Sequence, residues 1–179
     1  MITRKDAYPL PPQCDIISSV RGCRYISVVD AVSFFFQWPV KEEDREKFTV
    51  NSHRGQEQFQ VALMGFCNSV QHVQRELEHL LQDLTFVKAY IDDMVLGSQT
   101  FEEHLEHLDR FFQRLDSKNN SLAAEKCFLG YPSIVLLGHR VDAFGIMTAE
   151  DKIKAVRELA FPKTGAQLET FLGLTGYLR

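Results

Sequence analysis

The sequence predicts an α+β domain in which helices lie on one face of a mostly antiparallel sheet. Several stretches carry apolar residues at the 3.6-residue spacing of a helix, and short apolar runs bounded by turn residues predict strands. These predicted elements do not alternate regularly along the chain, which argues against a parallel sheet built from βαβ units. The 179 residues, 45% of them hydrophobic, suffice for one domain with a real core.

The N-terminal part is predicted to be extended at first and then mostly strand. Residues 7–13 include three prolines, which lack the backbone N–H that helices and sheets use, so an extended segment is expected. Residues 24–29 are rich in β-branched side chains and predict a strand that ends at Asp30. Residues 48–50 and 59–63 are expected to pair as a hairpin.

Two helices are predicted in the middle of the chain. The first runs from a cap at Asn68 or Ser69 to Leu84. The second opens at Thr100, and Glu103 three residues later completes a capping box. Its apolar stripe is expected to contain Phe101, Leu105, Leu108, Phe111 or Phe112, and Leu115. His104 and His107 of the same helix are expected on its solvent-exposed side, with no metal role.

The C-terminal part is predicted to contain short strands and then two more helices. Residues 122–147 are divided by glycines into short strand-like runs. A third helix is predicted from a cap at Thr148 to Pro162, which stops it. A fourth helix is predicted to begin at Thr164, with Gln167 at the capping-box position.

Residues 86–98, between the first two helices, predict a β-hairpin with a tight turn at Asp92 and Asp93. Aspartate is a favoured turn residue, so a structural role alone would explain the pair. Two carboxylates at a hairpin tip are also hard oxygen ligands that suit Mg²⁺. Asp30 offers a third carboxylate at the end of another strand. The combination favours a metal site over three independent turn residues.

Composition restricts the location and the partners that can be expected. No apolar run reaches the roughly 20 residues of a membrane span, and no signal-peptide pattern precedes the first prolines. The four cysteines form no C-x-x-C pair, which indicates reduced thiols in the cytoplasm or nucleus rather than a disulfide or zinc site. The net charge of −4 argues against a nucleic-acid partner, because binding to phosphates depends on Lys and Arg.

The stretch Tyr90-Ile91-Asp92-Asp93 resembles the Y-x-D-D signature of reverse transcriptases. Other motifs follow the order and spacing of gypsy-type LTR retrotransposon polymerases along nearly the whole chain. They are YPLP at 8–11, VVD at 28–30, FQWPV at 36–40, HRGQ at 53–56, GFCNS at 65–69, EEHLEHL at 102–108, EKC at 125–127, LLGH at 136–139 and FLGLTGYLR at 171–179. Each motif alone is weak, and their order makes the resemblance specific.

The resemblance implies a palm fragment of an RNA-directed DNA polymerase that extends a primer 3′-hydroxyl. Asp30, Asp92 and Asp93 match its catalytic, metal-binding aspartates, which would hold two Mg²⁺ ions, with Mn²⁺ as an alternative. Lys126 matches a catalytic lysine near the pyrophosphate, a candidate general acid, and otherwise is a surface lysine. The implied partners are an RNA or DNA template with its primer, and deoxynucleoside triphosphates. No membrane partner is implied.

Further residues match substrate-binding positions of the family. Gly65, Asn68 and Gln74 match the segment that positions the template base and incoming nucleotide, although Asn68 also fits a helix N-cap. Tyr90 belongs to the signature beside the nucleotide, and Gly138 matches the primer grip.

Phe35 matches the aromatic gate that stacks beneath the sugar and rejects a 2′-hydroxyl, with a core phenylalanine as the alternative. The chain departs from the family pattern at two places near these residues. Phe34 stands where many relatives have a small residue, which affects the shape of the nucleotide pocket. Val70 stands where they have a proline, which would preset the start of a helix.

By the same resemblance, residues 1–147 are expected to form partial fingers and the palm, and residues 148–179 a truncated start of the thumb or connection helices. The remaining fingers and thumb, RNase H and integrase would be further regions of a Pol polyprotein. The expected location is a cytoplasmic retrotransposon particle or the nucleus. The alternative is a truncated or decayed relic that keeps the palm fold without activity, an interaction module at most. A palm-type nucleotide cyclase is disfavoured, because it should lack these motifs.

Overall fold

The computed structural model describes residues 4–143, 145–148, 161–165, 167–169 and 171–172. The α-helices with described bounds are α1 (Gln13–Ser19), α2 (Ser69–Leu81) and α3 (Phe101–Asp116). The described strands are β1 (Tyr25–Asp30), β2 (Thr49–Ser52), β3 (Gly55–Gln58), β4 (Val87–Tyr90), β5 (Asp93–Ser98), β6 (Phe128–Tyr131), β7 (Ser133–Leu136), β8 (His139–Asp142) and β9 (Gly145–Thr148). Short 3₁₀ helices cover Phe34–Gln37, Glu42–Phe48 and Ala124–Lys126. Among these residues no helix is long and apolar enough to cross a membrane.

A four-stranded antiparallel sheet in the order β4-β5-β1-β6 forms the centre of the molecule. Because successive strand residues point to opposite faces, each face has its own core. Val29 faces the cluster that contains α2 and α3, and Val28 faces α1 together with β7 and β8. The predicted α+β class is confirmed, with the two long helices on one face.

The proline-rich N-terminal segment ends in a helix that the sequence did not reveal. Residues 4–12 have no regular secondary structure, as expected, but α1 begins already at Gln13. Ile16 and Ile17 of α1 are buried against the second face of the sheet. Helix α1 thus covers a part of the sheet that the long helices leave open.

A hairpin is present in residues 48–63, but its second arm is wrongly predicted, since β3 lies at residues 55–58 and not at 59–63. β2 pairs with β3, and the turn lies at residues 53–54. Gly55 begins β3 with a φ of +112°, a conformation that glycine reaches at little cost. All four β3 residues are exposed, so they carry no apolar pattern that could have located this strand.

Helix α2 begins at the predicted position, but Asn68 does not cap it with its side chain. The Asn68 amide instead donates to the Arg4 carbonyl at 2.9 Å and accepts from the Asp6 N–H at 3.1 Å. Asn68 therefore fastens the N-terminal segment to the start of α2. The helix ends at Leu81, and Leu84, the predicted end, is buried in the following turn.

Helix α3 has the predicted capping box, with the Glu103 N–H donating to Thr100 Oγ1 at 3.2 Å. Its buried face differs from the predicted stripe. Phe101 and Leu105 are each 51% exposed, whereas His104 is only 1% exposed. The buried residues of the helix are His104, Phe111 and Leu115.

The expectation that His104 lies on the surface is wrong. Its Nε2 lies 2.7 Å from Ser27 Oγ of β1, and its Nδ1 lies 2.8 Å from Ser98 Oγ of β5. Both ring nitrogens thus have a partner, so the ring can be buried without an unsatisfied polar group. His107 is also largely covered, because its ring stacks on Phe86 with the centroids 3.8 Å apart.

The predicted C-terminal elements are only partly described. Strands β7, β8 and β9 form the short strands expected between residues 122 and 147. The third predicted helix lies almost wholly outside the described residues. The fourth begins as predicted: described residues after Thr164 are helical, and the Gln167 N–H donates to Thr164 Oγ1 at 3.3 Å. The proposed boundary at residue 148 stays a prediction.

Candidate active site

Three aspartates lie at one end of the central sheet. Asp30, the last residue of β1, is directly opposite Asp93, the first residue of β5. Asp92 precedes Asp93 in the turn, and its carbonyl accepts a hydrogen bond from the Ala31 N–H at 3.2 Å. The backbone pairing therefore brings Asp30 next to Asp92 and Asp93, although it is far from them in the sequence.

The turn that carries Asp92 is shifted by one residue from its predicted position. Tyr90 pairs with Asp93, so the two turn residues are Ile91 and Asp92. Ile91 has a φ of +56°, a left-handed conformation that a β-branched residue rarely adopts. Such a conformation persists only where the surrounding structure imposes it.

Gln74 of α2 supplies that support. Its Oε1 accepts a hydrogen bond from the Ile91 N–H at 2.7 Å, and its Nε2 donates to the Ala89 carbonyl at 2.9 Å. The side chain is fully buried. The predicted place of Gln74 in the segment that positions the template base and incoming nucleotide stays a prediction; in the structure its amide is enclosed and bonded on both sides. Gln74 holds the backbone beside the aspartates.

The aspartates repel one another. Burial, together with the nearby charges of Asp92 and Asp30, raises the pKa of Asp93 to about 6, while Lys126 opposes the shift. Lys126 Nζ lies 3.5 Å from Asp30 Oδ1. One lysine thus faces three carboxylates, and the excess negative charge favours the binding of a cation.

Lys126 is held at the site by the backbone that precedes it. The Ala123 N–H donates to the Asp30 carbonyl at 2.9 Å, which fastens the short helix Ala124–Lys126 to the end of β1. The Lys126 side chain remains 63% exposed. Lys126 is therefore a surface residue. Its amine could still turn towards a molecule bound beside the aspartates.

The donor atoms fit a hard divalent cation. Carboxylate oxygens are preferred ligands of Mg²⁺, which typically takes one or two carboxylates and completes its shell with water and substrate phosphates. Among the described residues, no group of three or more His, Cys, Asp or Glu is arranged to hold a metal ion by itself. An ion at the three aspartates would therefore need water and substrate phosphates to complete its shell.

The three consecutive phenylalanines differ in exposure. Phe34 is buried and contacts the Trp38 ring edge to face, with the centroids 6.4 Å apart. Phe35 is partly buried, and Phe36 is 52% exposed. Phe34 is therefore the most buried of the three. Part of the Phe35 ring remains accessible.

The remaining predicted substrate residues lie in turns and at helix ends. Gly65 is exposed with a φ of +89°, in the loop before α2. Val70, one of the two departures named in the sequence analysis, lies in the first turn of α2. Gly138, with a φ of +78°, lies in the tight turn between β7 and β8. The Tyr90 hydroxyl accepts a hydrogen bond from Gln13 Nε2 at 3.2 Å, so this side chain is tied to α1.

The chain is similar to known proteins along most of its length. Residues 2–141 match the family described as "Reverse transcriptase (RNA-dependent DNA polymerase)". The chain is 29% identical over 180 residues to the retrovirus-related Pol polyprotein from transposon 297 of Drosophila melanogaster, covering 99% of this chain and 17% of that protein. The Pol polyprotein from transposon gypsy of the same organism is 27% identical over 179 residues, again with 99% and 17% covered.

The fold is similar to that of solved polymerases. A foamy viral protease-reverse transcriptase in complex with double-stranded DNA has a TM-score of 0.91 at 20% identity, with 98% of this chain and 31% of that chain covered. Another structure of that viral protein, in complex with an RNA/DNA hybrid, has a TM-score of 0.86 at 20% identity, covering 98% and 24%. The chain thus spans about one sixth of the Pol polyproteins and less than one third of these solved chains.

Proposed function

The chain belongs to the reverse transcriptase (RNA-dependent DNA polymerase) family, and from this membership we propose that it is the palm of an RNA-directed DNA polymerase in a retrotransposon Pol polyprotein. The observation that carries the proposal is the pairing of Asp30 with Asp93 beside Asp92. A polymerase palm requires such a group of carboxylates at one edge of its sheet, because two metal ions must share them.

The aspartates would act by holding divalent ions at the reaction site. Asp30, Asp92 and Asp93 are the proposed ligands of two Mg²⁺ ions, or of Mn²⁺. Such ions, when bound, make the primer 3′-hydroxyl a better nucleophile and neutralise the charge of the triphosphate. Lys126 is the proposed proton donor to the departing pyrophosphate, and its position 3.5 Å from Asp30 supports this role.

The substrates follow from the family and from the accessible residues around the site. We propose a primed RNA or DNA template and deoxynucleoside triphosphates, in line with the nucleic-acid complexes of the structurally similar viral enzymes. The accessible part of the Phe35 ring, which otherwise packs against the core, would stack against the sugar and exclude a 2′-hydroxyl. Gly65 and Asn68 would lie along the template and nucleotide, and Gly138 along the primer end.

Other regions of a polyprotein would complete the enzyme. Fingers, thumb, RNase H and integrase are the proposed partners, since the chain corresponds to only a part of its relatives. A cytoplasmic retrotransposon particle or the nucleus is the proposed location, and a tagged chain found in the secretory pathway would contradict it.

The net charge of −4 favours one second candidate, a relic without activity, because tight binding to nucleic acid normally requires a basic surface.

Primer extension on an RNA template with Mg²⁺ tests the function. The chain should be fused to fingers and thumb of a related polymerase, with the Asp92→Asn fusion as the inactive control and the unfused chain beside both. The fusion should extend the primer, and the control should not, because its metal ligand is lost. The unfused chain should extend poorly, because alignment of the primer end and triphosphate depends on those regions. A well-folded but inactive fusion would favour the relic.

A further inference from the structure

A line of hydrogen bonds runs from the N-terminal segment to the turn beside the aspartates. The Tyr8 hydroxyl donates to Glu78 Oε2. Glu78 Oε1 accepts from Gln74 Nε2 at 2.6 Å, and Gln74 Oε1 accepts from the Ile91 N–H at 2.7 Å. Four groups from three parts of the sequence are thereby joined in series, and the last of them, the Ile91 N–H, precedes Asp92.

The orientation of the Gln74 amide decides whether the turn is supported. An amide has an acceptor at one end and a donor at the other, so a flipped Gln74 would direct its NH₂ group at the Ile91 N–H, and two donors would meet. An ionised carboxylate can only accept hydrogen bonds. Glu78, together with the Ala89 carbonyl, which accepts from the same NH₂ group at 2.9 Å, therefore holds that group on its own side and leaves Oε1 for Ile91.

Tyr8 fixes the carboxylate of Glu78 in turn. Tyr8 is itself held by the guanidinium of Arg75, which lies over its ring at 4.7 Å from the centroid. Arg75 also pairs with Asp6, two residues before Tyr8. The hydrogen bond to Glu78 raises the pKa of Tyr8, which keeps the hydroxyl protonated as a donor.

We propose that Glu78 and Tyr8 are positioning residues: they lock the Gln74 amide in the orientation that holds Ile91, and so place Asp92 and Asp93 for metal binding. The benefit for catalysis rests on the proposed function, whereas the locking of the amide does not. Neither residue touches the aspartates, so both act through Gln74. The N-terminal segment thereby becomes part of the support of the site.

Hydrogen exchange of the Ile91 backbone amide, followed by NMR, tests this inference in the full chain. Glu78→Lys replaces the acceptor by a donor, which should draw Gln74 Oε1 away from Ile91. Glu76→Lys is the matched control, since Glu76 is exposed on the same helix and the charge change is identical. Exchange at Ile91 should be about three- to tenfold faster in Glu78→Lys than in the control, the range that loss of one hydrogen bond gives.

Tyr8→Phe provides a milder second variant, in case Glu78→Lys does not fold. It should also accelerate exchange at Ile91 and shift the side-chain NH₂ signals of Gln74. Amides of β1 and β5 should exchange as in the unchanged chain, which separates a local effect on the turn from a general loss of stability.

Equal exchange at Ile91 in Glu78→Lys and Glu76→Lys, or an unchanged Gln74 signal in Tyr8→Phe, would overturn the inference. Primer extension by the corresponding fusions is a separate readout, in which Glu78→Lys should lower the turnover rate and Glu76→Lys should not. Inactivity of every fusion, including the unchanged one, would count against the proposed function, while the exchange data would still decide on the amide lock.

Discussion

At the residue scale, an excess of negative charge distinguishes the edge of the sheet where β1 ends and β5 begins. Among the described residues, Lys126 is the cation that faces Asp30 and Asp93, and burial together with the charges of Asp92 and Asp30 raises the pKa of Asp93. The three aspartates could be predicted from the sequence, because each stands at the end of an apolar run. The support by Gln74 could not, because it becomes apparent only once the Ile91 N–H is seen to lie within hydrogen-bond distance of Gln74 Oε1 on α2.

The three neighbouring phenylalanines allow the sugar gate to be tested with internal controls. In an active fusion, Phe35→Val should admit ribonucleotides much more readily and leave deoxynucleotide addition largely intact. Phe36→Val, at an exposed position, should change neither activity nor stability. Phe34→Ala should lower the free energy of unfolding by about 3 kcal/mol, because it leaves a cavity in the core.

Selectivity is measured as the ratio of kcat/KM for deoxynucleotide and ribonucleotide addition, and stability by urea unfolding. Unchanged selectivity together with a large loss of stability in Phe35→Val would identify Phe35 as a core residue and remove it from the proposed site.

At the element scale, the main difference from expectation is which face of α3 is buried. The predicted buried stripe contained Phe101 and Leu105, which are exposed, whereas His104 lies on the buried face. Helical spacing alone could not show this, because the partners of His104 are serines on β1 and β5. Helix α1 escaped prediction for another reason: its seven residues follow two adjacent prolines and contain only two neighbouring isoleucines.

The buried His104 gives the junction of α3 with the sheet a specific pH dependence. Burial lowers the pKa of His104, and His107 lowers it further, while Glu103 opposes the shift. The unfolded chain therefore takes up this proton at a higher pH than the folded chain. Stability contributed by the neutral His104 is present above the ordinary histidine pKa of about 6.5 and is lost as the pH falls below it.

His104→Leu should accordingly make the acid loss of stability shallower, although it lowers stability at neutral pH by about 2 kcal/mol, because Ser27 and Ser98 lose a partner. His79→Leu is the control, since His79 is exposed on α2. Urea unfolding between pH 5 and 7.5, a range chosen around that pKa, measures both effects. An identical pH dependence in His104→Leu and His79→Leu would contradict the assignment.

At the scale of the whole molecule, the α+β class and the central hairpin could be predicted, because strand and helix periods are distinct in the sequence. The covering of the second face could not be predicted, since β7, β8 and α1 are short and their apolar residues few. These elements cover the second face of the sheet because the fold packs them against β1. No local sequence pattern shows that packing.

The net charge of −4 leads to a prediction about nucleic-acid binding. The unfused chain should bind a primer–template weakly, and the binding should disappear at modest salt, because few phosphate contacts can be formed by so acidic a chain. Fluorescence anisotropy of a labelled duplex at increasing KCl measures this. Tight binding that resists salt would contradict the prediction and indicate a basic surface that the overall charge conceals.

The central claim is that Asp30, Asp92 and Asp93 form one metal site, and paramagnetic broadening by Mn²⁺ in NMR spectra of the full chain tests it most directly. Substoichiometric Mn²⁺ should broaden the backbone amide signals of these three residues before all others, and a chelator should restore them. Asp92→Asn should weaken the effect, whereas Asp116→Asn, at an exposed position of α3, should not. Broadening at residues 92 and 93 that spares residue 30, or equal broadening at the acidic surface stretch 42–46, would contradict the claim.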